Sequence, residues 1–109
     1  MTEDEVVKAL GALAHPVRLK VFRALVVTGS AGLTPGVIQE GLGIPATTLS
    51  FHLKELANSG LVSCERASRA LVYRAAYQNM NTLLGYLTDN CCLGADCAVE
   101  GASPASCKC

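Results

Sequence analysis

At 109 residues the chain is one small domain, and the absence of any run of about 18 apolar residues excludes a membrane-spanning helix. Its nine basic and nine acidic residues cancel overall but not locally: residues 1–14 and 77–109 each carry net −2 and the stretch between carries +4, a modest nucleic-acid footprint that a dimer would double. The acidic start, Met1-Thr2-Glu3-Asp4-Glu5, is unlike a signal peptide, so the chain reads as a soluble cytoplasmic protein with no membrane partner.

Thr2 and Glu5 form a capping-box pair, and Val6, Leu10 and Leu13 recur at helical spacing, which predicts a helix over 3–14. His15-Pro16 interrupts it. A second helix, 16–27, begins with Pro at its first position and is expected to bury Val17, Val21, Phe22 and Leu25. After a glycine-containing loop, Thr34-Pro35 starts a short helix over 35–41, closed by Gly41 and Gly43. From 46 to 59, Leu49, Leu53 and Leu56 define a core face; at about 100° per residue, Thr47, Phe51, Lys54 and Asn58 lie opposite, with Thr48 and Ser50 on the flanks. Gly60 ends this helix. Two β-rich runs, 61–66 and 70–76, make a hairpin joined by Ala67-Ser68-Arg69, in which Cys64 alternates with Val62 and is expected to be a small buried hydrophobe. Residues 77–91 return to helical period through Met80, Leu84 and Leu87, and the Gly/Ala/Ser/Pro-rich remainder, 93–109, reads as a tail that is flexible without a ligand.

The expected fold is therefore mainly α with a β-hairpin, a winged helix-turn-helix over 1–92 that both binds DNA and dimerises. In that layout the second helix of the pair enters the major groove and the hairpin lies along neighbouring backbone. The hydroxyls of Thr47, Thr48 and Ser50 can reach base edges or phosphates, and Phe51 can pack on a thymine methyl. Lys54, Arg66, Arg69 and Arg74 would supply phosphate contacts, which position without specifying. A plain amphipathic helix with a solvated face is the competing reading, and the arginine-bearing hairpin that follows weighs against it. His52 stands about 60° from the core line; it belongs with this DNA-facing set by position, but packing or hydrogen bonding is the more natural role there. His15 reads as a helix-start residue.

Six cysteines do not make a disulfide framework here, because Cys64 stands alone and the other five fall in the last nineteen residues. Cys91 and Cys92 are adjacent and Cys97 follows five residues later, a spacing unlike the structural-zinc knuckle and suited to chelating a thiophilic centre.

Four stretches carry a resemblance: Ala12-Leu13-Ala14-His15-Pro16-Val17-Arg18-Leu19, Thr48-Leu49-Ser50-Phe51-His52-Leu53-Lys54-Glu55-Leu56, Ser59-Gly60-Leu61-Val62, and Tyr73-Arg74. Over nearly its whole length the chain resembles the ArsR/SmtB family of bacterial metal-responsive repressors. The resemblance implies a homodimer formed through the first and last helices, released from operator DNA by its ligand. Residues 35–42 lack the cysteine pair of many arsenic sensors, and 77–91 offer Asp89 but no histidine for a zinc site. The wing tip also lacks the glycine common in the family.

The concentrated ligand set is thus C-terminal, where the chain is similar to the arsenic-responsive branch. As(III) and Sb(III) prefer three thiolates in a trigonal pyramid, a requirement that Cys91, Cys92 and Cys97 meet, with Gly94 letting the chain fold back. Cys91 continues the Met80, Leu84, Leu87 stripe and Cys92 projects about 100° from it, so both can face one ion only where the helix ends. Cys107 and Cys109 are accessory or incidental. Two alternatives stand beside this reading. One is a repressor sensing zinc, cadmium or lead through four thiolates that include Cys107 or Cys109; the other is a thiol redox switch, disfavoured by the acidic surroundings of the tail. No catalytic constellation is present, so the expectation is a regulator without a catalytic cofactor and not an enzyme.

Overall fold

A computed structural model describes residues 1–89. The order is α1 (Glu3–Leu13), α2 (Pro16–Thr28), a 3-10 turn (Gly29–Ala31), α3 (Pro35–Leu42), α4 (Ala46–Asn58), β1 (Val62–Ala67), β2 (Ala70–Ala75) and α5 (Tyr77–Thr88). The helix starts follow their caps. The Thr2 hydroxyl accepts from the Glu5 N–H at 3.2 Å while the Glu5 carboxylate accepts from the Thr2 N–H at 3.0 Å. At α2, Pro16 takes the first position and the Nδ1 of His15 accepts from the Val17 N–H at 3.2 Å. Elements match the expected spans within a residue or so, apart from α5, which ends at Thr88 rather than at 91, with Asp89 as its cap.

The core gathers where α1, α2, α4 and the base of the hairpin meet. Val21, Leu25, Leu49, Leu53, Leu56 and Leu61 are fully buried, each contributing about 1.5–3 kcal/mol of apolar transfer. On α1 the expected Val6 is buried and Leu13 packs against the core, but Ala9 and Ala12 complete the inner face and Leu10 is 40% exposed. On α5, Leu83 is buried whereas Leu84 and Leu87 are each more than half exposed, and on α2 Val17 is half-buried at the margin of the core. The expected apolar stripe on α5 is divided: Met80 packs against the core, whereas Leu84 and Leu87 do not face this chain's interior.

The hairpin pairs antiparallel from Val62↔Ala75 to Ala67↔Ala70, and Ser68, at φ 60°, takes the left-handed position that a glycine would occupy without strain. Leu33 and Tyr73 exchange two backbone hydrogen bonds, of 2.9 and 2.8 Å, and so moor the hairpin to the segment before α3. Beyond Val62 every residue of β1 is exposed, Cys64 included. This corrects the expectation of a buried thiol: the domain covers Tyr73, the cross-strand partner of Cys64, which packs against the core, but that cover does not extend over β1 beyond Val62.

Candidate nucleic-acid interface

Gly43, in the left-handed region at φ 66°, caps α3 with its N–H on the Gln39 carbonyl, and Pro45 then opens α4. This tight turn lays α4 across the front of the domain, anchored by Leu49, Leu53 and Leu56. Thr47, Thr48, Ser50, Phe51 and Lys54 are all exposed on its outer side, and Arg66 and Arg69 are exposed on the wing. Seven of the nine residues expected to meet DNA are therefore exposed.

The other two are engaged within the chain, His52 as the packed, hydrogen-bonded residue that its position favoured. His52 is buried at 6% exposure, and its Nδ1 accepts a hydrogen bond from Arg18 Nε at 3.1 Å. Its ring lies 4.6 Å from that of His15 and 5.7 Å from that of Phe51. Burial, then the neighbouring His15 and Arg18, hold its pKa below the ordinary histidine value, so near neutrality the ring stays uncharged and keeps Nδ1 as an acceptor. It is a packed residue behind the α4 face. Arg74 is half-buried: its Nε donates to the Ser30 carbonyl at 2.8 Å and its guanidinium lies 3.6 Å from the Glu65 carboxylate. It braces the wing against the 3-10 turn rather than standing free for a phosphate.

Arg18 was not singled out from the sequence beyond its place in the basic stretch. Its guanidinium carbon lies 5.5 Å from the centroid of the exposed Phe51 ring, at the margin of the α4 face. The usable signal was an outward aromatic on α4 together with a cation on the first turn of α2. Among the described residues no three His, Cys, Asp or Glu side chains could hold a metal, and no helix is long and apolar enough to cross a membrane. Cys91, Cys92, Cys97, Cys107 and Cys109, the extension of the α5 stripe to Cys91, and the boundary between 1–92 and 93–109 lie outside the described residues.

A helix pair with a polar outer face, followed by a moored hairpin bearing arginines, defines a winged helix-turn-helix DNA-binding protein. A helix-turn-helix domain family matches residues 13–65, from the end of α1 into β1. The chain is similar to the HTH-type transcriptional regulator YgaV of Escherichia coli K12, with 26% identity over 82% of this chain and 88% of that protein. Among solved structures it resembles the transcriptional repressor BigR of Xylella fastidiosa, with 32% identity, a TM-score of 0.60, and coverage of 82% of this chain and 88% of that one. It also resembles the homodimeric winged helix-turn-helix domain of Mb0332 from Mycobacterium bovis, a possible ArsR-family regulator, with 28% identity, a TM-score of 0.64, and coverage of 80% and 81%. The chain belongs to the ArsR/SmtB family of transcriptional regulators, and it is a DNA-binding regulator rather than an enzyme.

Proposed function

We propose that this chain is a homodimeric, cytoplasmic transcriptional repressor that binds operator DNA and is released from it by As(III) or Sb(III). The observation that carries the DNA-binding part is the outer face of α4, where Thr47, Thr48, Ser50, Phe51 and Lys54 are exposed together above a leucine-anchored inner face. In this reading the hydroxyls and Phe51 read base edges, while Lys54 with Arg66 and Arg69 on the wing holds phosphates. The dimer is supported by unpartnered apolar side chains on the terminal helices, Val7 and Leu10 on α1 and Leu84 and Leu87 on α5, and by the homodimeric Mycobacterium bovis relative.

The choice of inducer rests on donor chemistry. Cys91, Cys92 and Cys97 supply three soft thiolates and no hard ligand, which fits trivalent arsenic or antimony better than a four-coordinate ion. Bound there, the metalloid would supply a three-way covalent cross-link between sulfurs. These residues follow directly on α5, the helix whose free apolar face is assigned to the dimer, and this continuity is the route by which the site would bias the two DNA-reading helices. A coupling of about 1–3 kcal/mol, usual for allosteric proteins, corresponds to a 5- to 150-fold loss of operator affinity.

The test is to recover a preferred duplex from a randomised pool and measure its binding by fluorescence anisotropy with and without arsenite. One dimer per duplex and loss of affinity with arsenite are expected. An affinity unchanged by arsenite overturns the inducer assignment. Release by cadmium alone, lost on truncation after Ala98, would replace it with a four-thiolate site including Cys107 or Cys109.

A further inference from the structure

We infer that Arg18 is a DNA-phosphate contact held in aim by His52, so that the recognition surface includes a residue of α2 as well as α4 and the wing. This rests on the reading of α4 as the DNA-facing helix. Arg18 sits on the first turn of α2, thirty-four residues from His52 in sequence, yet its Nε and the imidazole Nδ1 are 3.1 Å apart. Its guanidinium lies over the ring of Phe51, which is 55% exposed on the outer side of α4. One edge of the arginine fork is thus fixed from behind and one face is fixed from the side.

The two terminal nitrogens remain. Among the described residues they have no hydrogen-bond acceptor and no carboxylate partner, the one ion pair there being Arg74 with Glu65. A cation so constrained and left without an anion, at the edge of a nucleic-acid-facing surface, matches the two-pronged geometry by which arginine holds phosphate. Fixing the side chain beforehand also removes rotamer entropy that binding would otherwise cost.

The imidazole can do this only with Nδ1 unprotonated, because a protonated ring would turn a donor toward the Nε–H and set two cations against each other. The titratable and charged groups that face it are His15, from the α1–α2 junction, and Arg18 itself; the third neighbour, Phe51, is uncharged. No acid offsets its protonation in that set. His15, whose own Nδ1 caps α2, packs its ring 4.6 Å from that of His52. The cluster therefore links an acceptor in the protein interior to a donor at the surface.

The experiment uses the full chain and the duplex selected by the wild type. Arg18→Ala is expected to weaken binding about tenfold per protomer and to reduce the log K against log salt slope by about one per protomer. His52→Asn places an amide oxygen near the position of Nδ1 and cannot titrate, so it should retain affinity. As pH is lowered from about 7.5 to 5.5, wild-type affinity should fall relative to His52→Asn. A ratio that stays constant or rises overturns the positioning role of His52. Lys54→Ala separates the two levels of failure. If it lowers the salt slope and Arg18→Ala does not, Arg18 is a packing residue and the inference fails alone; if neither lowers it, the reading of α4 fails as well.

Discussion

Gly32→Ala tests how the wing is held. Gly32 sits at φ 70° and ψ 180°, a region almost closed to residues with a side chain, at a cost of about 1–3 kcal/mol. An added Cβ would stand 2.6 Å from Val72 Cγ1, 2.8 Å from the Tyr73 carbonyl oxygen and 2.9 Å from Arg74 Cγ. Val72 could rotate, but the Tyr73 carbonyl is fixed by the hydrogen bond it accepts from Leu33 at 2.9 Å. Overpacking of this kind costs about 1–3 kcal/mol. Lifting the hairpin off relieves the clash while sacrificing the Leu33–Tyr73 pair and the bond from Arg74 to Ser30, so the net loss is expected at about 2–4 kcal/mol. Urea unfolding at fixed protein concentration reads the stability, and anisotropy with the selected duplex reads the wing. The expected result is a folded protein with a lowered urea midpoint and weakened DNA binding. A loss below about 1 kcal/mol with unchanged affinity would refute the idea that the wing is moored through this contact.

Replacing Leu84 and Leu87 together by Asp puts charge on a face that is exposed in the single chain, so it should leave the secondary structure intact and convert a dimer to a monomer in sedimentation analysis; a persisting dimer would place the interface elsewhere. Tyr77→Phe removes the hydroxyl that donates to the Val26 carbonyl at 2.9 Å near the end of α2, and should cost about 0.5–1.5 kcal/mol in urea unfolding; an unchanged midpoint would show that this bond does not tie α5 to α2. Because burial holds the pKa of His52 below its ordinary value of 6.5, the unfolded chain takes up the proton first: stability is fully present above that value and is lost as pH falls from it toward the folded pKa. His52→Asn should abolish that component, and identical pH profiles of the urea midpoint would show that His52 does not contribute it.

Local signals in the sequence sufficed for the helix starts, because a capping box at Thr2 and Glu5 and a Pro after His15 or Thr34 act within a few residues. The α4 face was legible for the same reason: Leu49, Leu53 and Leu56 set its orientation, and that fixed which residues point outward. What was not legible depends on long-range partners. Arg18 reaches His52 across thirty-four positions and Arg74 reaches Ser30 across forty-four, and no periodicity encodes either contact. Leu10 on α1 and Leu84 and Leu87 on α5 recur at helical spacing, but apolarity does not say whether the covering surface belongs to the same chain. For Cys64, period-two alternation implies a buried face only where a second layer covers the strand, and nothing covers β1 beyond Val62.

In the proposed function Cys91, Cys92 and Cys97 together form the switch. Its most direct test is an arsenite titration of the preformed duplex complex, followed by anisotropy, for the wild type and for each of Cys91→Ser, Cys92→Ser and Cys97→Ser. The wild type should release the duplex, and each variant should need markedly more arsenite or fail to release. Release of all three variants at the wild-type arsenite concentration would contradict the assignment.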